Sequence, residues 1–271
     1  MAVAHNVDAM GVAHPPCEGA PRIVSLVPSV TELVCDLGLA DRLVGRTGFC
    51  IHPRETLRTV RKVGGTKDVD LDAVRELAPT HVIVNIDENL RETADVLREF
   101  VPAIVVTHPL DPRDNPPLYR LLGAVFGREP AAERLSASFE RAFAEAQKPR
   151  PLQRVLYLIW RDPWMTVGRD TYISRMLALF NWQTWSPATG TRYPTLDIMS
   201  CAGEVDRVLL SSEPYPFRDR HVEELRARLP GTHVDIIDGE MTSWYGSRAI
   251  QGLAYLDRYT LAAQAGVTNA H

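Results

Sequence analysis

Cys50 and His52 stand two residues apart in the segment Phe49-Cys-Ile-His-Pro53. A thiolate and an imidazole are both ligands for zinc or cobalt. On extended backbone, residues i and i+2 point the same way, so one ion could take both. His81 and Glu88, on the next apolar run and the loop after it, are the further donors within reach of such a site. Two ligands do not complete one, and His81 equally well just opens a strand. The four cysteines (Cys17, Cys35, Cys50, Cys201) form no C-x-x-C pair and no paired zinc spacing. Cys35 and Cys201 read as small buried hydrophobes.

Other catalytic patterns are missing. There is no G-x-S-x-G, no G-x-x-x-x-G-K-[ST], no G-x-G-x-x-G and no H-E-x-x-H. Ser25, Ser29 and Thr31 have no base paired with them at the level of sequence. Gly64-Gly65-Thr66-Lys67 lacks the upstream glycine of a phosphate loop. The residues therefore favour binding over catalysis. The alternative is a cytoplasmic metal-binding protein or metal-dependent enzyme built on Cys50 and His52.

Binding chemistry is richer. Trp160, Trp164, Tyr215, Phe217, Trp244 and Tyr245 all fall in segments expected to be loops, and all five tryptophans come after residue 159. Rings on loops give flat, rigid contact area for a planar or apolar ligand. They serve equally to plug a core. Arg192 and Tyr193 share the polar loop 186–194. Arg218 and Arg248 stand at expected helix starts, where the helix dipole disfavours a cation, so each calls for a carboxylate or a ligand anion.

These side chains need a scaffold, and the apolar pattern supplies one. Ile23–Leu26, Leu43–Thr47, His81–Ile86 and Ala103–Thr107 read as short buried strands alternating with helices, the pattern of parallel βα units. Ser29 and Glu32 have capping-box spacing at the first helix start. Asp70 is expected to cap a helix over 71–77 and Asp170 one over 171–180. The stretch 118–147 reads as helix, interrupted at Gly127–Pro130. After it the strand pattern restarts at Val155–Ile159, Val205–Leu210 and His233–Ile237, and a last helix spans about 247–265. The fold class is α/β: two lobes with mostly parallel sheets joined by one long backbone helix. The expected divisions are a disordered tail over 1–20, an amino-terminal lobe over 21–117, the connecting helix over 118–149 and a carboxyl-terminal lobe over 150–271. In such sheets ligands lie off the carboxyl ends of the strands.

Composition excludes several classes. The 271 residues carry a net charge of −4 with 24% charged residues, and the arginines are dispersed. Nothing suggests a nucleic-acid partner. No run approaches the roughly 18 apolar residues of a membrane span. No Lys or Arg precedes Arg22 and no sustained apolar stretch follows the first Met, so no secretory signal is read there.

Three stretches carry a resemblance: RIVSLVPSVTEL (22–33), VGGTKDVDLDAVRELAPTHVIV (63–84) and DPWMTVGRDTYISRMLALFN (162–181). Over about residues 21–265 the chain resembles the class III, helical-backbone solute-binding proteins of ABC importers. That group includes cobalamin, haem and iron–siderophore binders, and the cobalamin-binding branch is most similar. The resemblance implies a monomer that holds a metal chelate (corrinoid, haem or ferric siderophore) in a cleft between lobes, with no required cofactor. It implies a ring on the ligand at Phe49, at Trp164 and at Trp244. Thr66 and Asn85 stand where the cobalamin binder has tryptophans. Asp72 occupies the position of the first-lobe acid that meets an ABC permease. Its second-lobe counterpart, usually Glu, falls near Asp197–Ile198. The resemblance implies a periplasmic location, and the absence of a readable signal makes the cytoplasm the alternative.

Overall fold

A computed structural model describes residues 6–266. The chain divides into two compact units. Unit 1 takes residues up to Pro109, Arg113–Phe139 and Tyr245–Arg248; unit 2 takes Leu110–Pro112, Glu140–Trp244 and the residues from Ala249.

In unit 1 the elements run β1 (Ile23–Ser25), α1 (Pro28–Val34), β2 (Leu43–Arg46), α2 (Arg54–Leu57), β3 (Arg61–Lys62), α3 (Leu71–Glu76), β4 (His81–Asn85), α4 (Arg91–Leu97), β5 (Ala103–Thr107) and α5 (Asn115–Phe126). The sheet has the order β3-β2-β1-β4-β5, and every pair is parallel. Every residue of β1 and β4 is buried, as a strand covered on both faces requires. Gly45 in β2 lets the next layer approach closely: a Cβ there would lie 2.8 Å from Leu77 Cδ1 and 3.0 Å from Val24 Cγ2.

Helix α6 (Glu129–Ala146) follows α5, and the division between units falls within it. The helical stretch expected over 118–147 is two helices, broken at Gly127 and Arg128 within the interruption expected there. Gly127, at φ +63°, ends α5 in the left-handed conformation that glycine adopts without strain. Unit 2 continues with β6 (Gln153–Trp160), β7 (Met165–Thr166), α7 (Tyr172–Ala178), β8 (Trp182–Thr184), β9 (Arg207–Ser211), α8 (Asp219–Arg228), β10 (His233–Ile237), α9 (Gly239–Ser243) and α10 (Arg248–Gln264). Its sheet runs β10-β9-β6-β7, with β8 paired to β6 as well. Only β7 is antiparallel.

Two helix starts differ from the sequence reading. Helix α1 begins at Pro28, whose fixed φ suits the first turn and which needs no capped N–H, and Val27 at the cap position offers no side-chain bond. Ser29 and Glu32 therefore lie inside the helix and form no capping box. At α7 the cap is Thr171, whose hydroxyl accepts the Ser174 N–H; Asp170 lies one residue outside. Asp70 caps α3 as expected, accepting the Ala73 N–H at 2.9 Å.

The segment Tyr245–Arg248 is a late return to unit 1. The Gly246 N–H donates to Asn115 Oδ1 at 2.7 Å, and its carbonyl accepts the Tyr119 hydroxyl at 2.8 Å. Arg248 donates from Nε and Nη2 to the two carboxylate oxygens of Glu32, both at 2.7 Å.

The tail expected to be disordered is folded over its described part, while residues 1–5 lie outside the described residues. Val7 bridges Ala13, and the Ala9 N–H donates to the Val106 carbonyl beside β5. Asp8 holds the turn. Its carboxylate accepts the Met10, Val12 and Val106 N–H groups and pairs with His14 Nε2. The segment has no apolar period for sequence reading to find; it is held by one acid and by the open edge of β5. Burial pushes the Asp8 carboxyl up, but these hydrogen bonds outweigh it and hold it below the ordinary 3.8. The stabilisation is therefore present above that value and is lost as pH falls through the depressed one. Asp8→Ala should cost this segment about 1–3 kcal/mol and speed amide exchange at Ala9 and Val106. Unchanged exchange rates there would show that Asp8 does not hold it.

Candidate functional site

The carboxyl end of the unit 2 sheet carries a connected group of rings. Trp160 ends β6, Trp164 lies in the turn to β7, and Tyr215 and Phe217 follow β9. Trp160 meets Tyr215 edge-on at 5.5 Å, Tyr215 meets Phe217 at 4.7 Å, and Phe217 lies parallel to Trp164 at 6.0 Å. Arg161 spans this end, forking onto the Glu224 carboxylate and lying 5.4 Å over the Trp164 ring. The two roles open for these rings are divided among them. Phe217 is buried, and Trp164 and Tyr215 pack against the core. Trp160 is 41% exposed.

Arg192 and Tyr193 lie in the neighbouring loop. The Arg192 carbonyl accepts the Gly168 N–H at 2.7 Å, its Nε lies 3.7 Å from Asp170, and Tyr193 is exposed. Arg218 precedes α8, where its N–H donates to His221 Nδ1.

Trp244 is the last residue of unit 2 before the chain returns to unit 1, and only 8% of it is exposed. Its indole N–H donates to Glu213 Oε1 at 2.8 Å, and the Ser243 hydroxyl donates to the same oxygen. Burial pushes the Glu213 carboxyl up, and these bonds only partly oppose it. An acid with a raised folded pKa destabilises the fold as pH rises above its ordinary 4.5. Glu213→Gln keeps an acceptor for both donors and removes the buried charge. Its melting temperature should exceed the wild type's at neutral pH and converge with it below 4.5. An equal difference at both pH values would contradict this.

In unit 1 the carboxyl-end loops carry exposed apolar side chains: Phe49 (62% exposed) and Ile51 after β2, and Ile86 after β4. The Phe49 ring lies over Gly65; a Cβ added there would be 3.3 Å from it. The sequence reading ends the strand at Ile86, but β4 stops at Asn85 and leaves Ile86 exposed on the loop. Thr66 is half-buried, and its carbonyl accepts an Asn89 amide N–H. Asn85 is buried and builds its own turn: its Oδ1 accepts the Asp87 and Glu88 N–H groups. It is not positioned as a ligand face. Tyr245 donates its hydroxyl to Glu88 Oε1, 157 residues away in sequence, and burial with the adjacent Glu88 charge pushes the phenol up. Arg248, expected to seek an anion, has found Glu32. Asp72 is exposed in the first turn of α3. Asp197 accepts the Met199 N–H at the start of a short 3-10 turn.

The Cys50–His52 metal pair does not form. Cys50 turns into the core of unit 1, where Thr31 Oγ1 donates to Sγ at 3.0 Å and Thr47 Oγ1 lies 3.1 Å away. Burial pushes its thiol up, against the thiolate a metal needs. His52 stays half-buried on the loop. Glu88 serves Tyr245. His81 packs edge-on to Phe126, and burial brings its imidazole down to about 4. Among the described residues no three His, Cys, Asp or Glu side chains gather as a metal site.

Residues 23–200 match the profile of a family described as periplasmic binding protein. The chain is 30% identical over 167 residues to an uncharacterized ABC transporter substrate-binding lipoprotein of Bacillus subtilis, YvrC, covering 58% of this chain and 52% of that protein. It is 25% identical over 168 residues to a vitamin B12-binding protein of Pectobacterium atrosepticum, covering 58% and 59%. The chain thus spans little more than half the length of the curated relatives it matches. Among solved structures, the periplasmic heme-binding protein RhuT of Roseiflexus sp. RS-1 superposes with a TM-score of 0.76 at 23% identity, over 90% of this chain and 99% of that one.

Proposed function

The chain belongs to the periplasmic binding protein family, and from that premise we propose that it binds a metal chelate without transforming it. The chelate class is corrinoid, haem or ferric siderophore, taken by the loops at the carboxyl ends of the strands. The exposed Trp160 face, braced by Tyr215 and the rings behind it, is the observation that carries this reading. Phe49, Ile51 and Ile86 offer exposed apolar contact on the loops of unit 1. The names of the relatives support the ligand class: one binds vitamin B12 and one superposed structure binds haem. Delivery to an ABC permease outside the cytoplasm, with Asp72 as a docking contact, is part of the same proposal. No helix among the described residues is long and apolar enough to cross a membrane.

The test is titration of the purified full chain with haemin, cyanocobalamin and a ferric hydroxamate, read by tryptophan fluorescence and chelate absorbance. One of the three should saturate at one site and quench the emission; no saturable response to any of them would end the proposal. Trp160→Ala should weaken that binding by about 1–3 kcal/mol and lower the melting temperature less than Trp244→Ala does, because Trp160 is 41% exposed and Trp244 only 8%. An unaltered dissociation constant would remove Trp160 from the site.

A further inference from the structure

Asn89 ties together the segments that follow three strands of unit 1. It lies in the turn after β4, is 6% exposed, and bonds through its side-chain amide to three backbone groups. Oδ1 accepts the Asn85 N–H at 2.8 Å. Nδ2 donates to the Leu26 carbonyl at 3.2 Å, just past β1, and to the Thr66 carbonyl at 3.0 Å, in the loop between β3 and α3. One N–H and two carbonyls fix which way the amide faces, since a flipped amide would set oxygen against oxygen.

A second link joins the same loop and turn: Lys67 Nζ donates to the Asp87 carbonyl at 2.9 Å. Lys67 is exposed, so this bond competes with water, whereas the Asn89 bonds are buried and stronger for it. On its other side the loop over 64–69 is bound to the loop after β2, where the Gly48 N–H donates to the Gly64 carbonyl at 2.8 Å. That loop is pinned from within by Arg46, 7% exposed, whose guanidinium donates to the Thr47, Cys50 and Leu57 carbonyls. The loops after β2, β3 and β4 thus form one hydrogen-bonded array. Phe49, Ile51 and Ile86 stand exposed on its first and last members.

Loops are ordinarily the least ordered part of an α/β unit. A ligand that meets loops already in place does not bear the entropy of ordering them. We infer that Asn89 is a positioning residue: it holds the 64–69 loop and the 86–89 turn in fixed relation, so that the apolar contacts of unit 1 are preformed for the chelate. This assignment rests on the chelate-binding reading.

The test compares Asn89→Asp and Asn89→Ala with the wild type as full chains. Asn89→Asp keeps the side chain's size and the acceptor for Asn85, but sets a carboxylate oxygen against the Leu26 and Thr66 carbonyls. Asn89→Ala removes all three bonds without adding a charge, and carries the test if the acid prevents folding. Without chelate, amide exchange at Gly48 and Gly65 should quicken by about tenfold in both variants, and by more than at the amides of β5. General loss of stability would quicken all of them alike. In Asn89→Asp the excess should shrink as pH is lowered from neutral, because the protonated carboxyl donates again; in Asn89→Ala it should not. Rates are taken relative to the wild type at the same pH, so the titration of Lys67, Asp68, Asp87, Glu88 and His108, common to all three proteins, cancels. Titrated with haemin, cyanocobalamin and a ferric hydroxamate, both variants should bind the chelate that the wild type takes about tenfold more weakly. The inference is overturned if Gly48 and Gly65 exchange no faster than β5 does, if the Asn89→Asp excess ignores pH, or if the dissociation constant is unaltered. Failure of the wild type to bind any of the three is a separate result, which ends the chelate-binding reading and this inference with it.

Discussion

Arg248→Met should lower the stability of unit 1 to urea by about 3–5 kcal/mol. The Arg248 and Glu32 side chains are only 8% and 11% exposed, and the guanidinium grips both carboxylate oxygens at 2.7 Å. Removing the cation leaves a carboxylate inside α1 with neither water nor a partner. The loss is that of an uncompensated charge, and it exceeds what the intact pair itself contributes. The double variant Glu32→Met with Arg248→Met should therefore recover much of the loss, since no charge is then stranded. A single variant within about 1 kcal/mol of the wild type would show that water reaches Glu32 and that the pair behaves as a surface bridge.

Trp244→Ala should destabilise unit 2 by about 3–5 kcal/mol, the usual cost of truncating a buried aromatic ring to a methyl group. The indole is 8% exposed and its N–H is spent on Glu213. Trp244→Phe keeps most of the packing and loses only that hydrogen bond, so it should cost about 1–2 kcal/mol. Chemical denaturation of the two variants separates packing from hydrogen bonding, and equal losses would assign the whole effect to the Glu213 contact. Trp244 was expected to be a ligand ring, and its burial changes what a substitution there reports. A weaker chelate affinity in Trp244→Ala would arise largely through the fold, whereas in Trp160→Ala it would report contact.

The scaffold was legible wherever local pattern decides structure. Strands β5 and β10 fall where the sequence predicts, because short runs rich in Val and Ile favour extended backbone. Asp70 caps α3 because the cap and its N–H are only three residues apart. The α1 start was misread because Pro28 supplies the first turn without a side-chain cap. The Cys50–His52 spacing misled because Thr31 and Thr47 draw the thiol inward, and the spacing of two residues cannot show that. Partners distant in sequence were beyond reach. Glu88 and Tyr245 are 157 residues apart, and Glu32 and Arg248 are 216 apart. An anion for Arg248 was anticipated from the helix dipole, but its identity was not. The loop aromatics were correctly placed at a sheet end, while their division into core rings and an exposed face required coordinates.

The late return of Tyr245–Arg248 has a bearing on biosynthesis. A ribosome must translate Glu140–Trp244, most of the second unit, before it delivers the residues that satisfy Asn115, Tyr119 and Glu32. The first α/β unit therefore cannot mature cotranslationally ahead of the second, as beads on a string do. A fragment ending at Phe139, however well chosen on other grounds, would strand an acid, an amide and a phenol whose partners are Gly246 and Arg248.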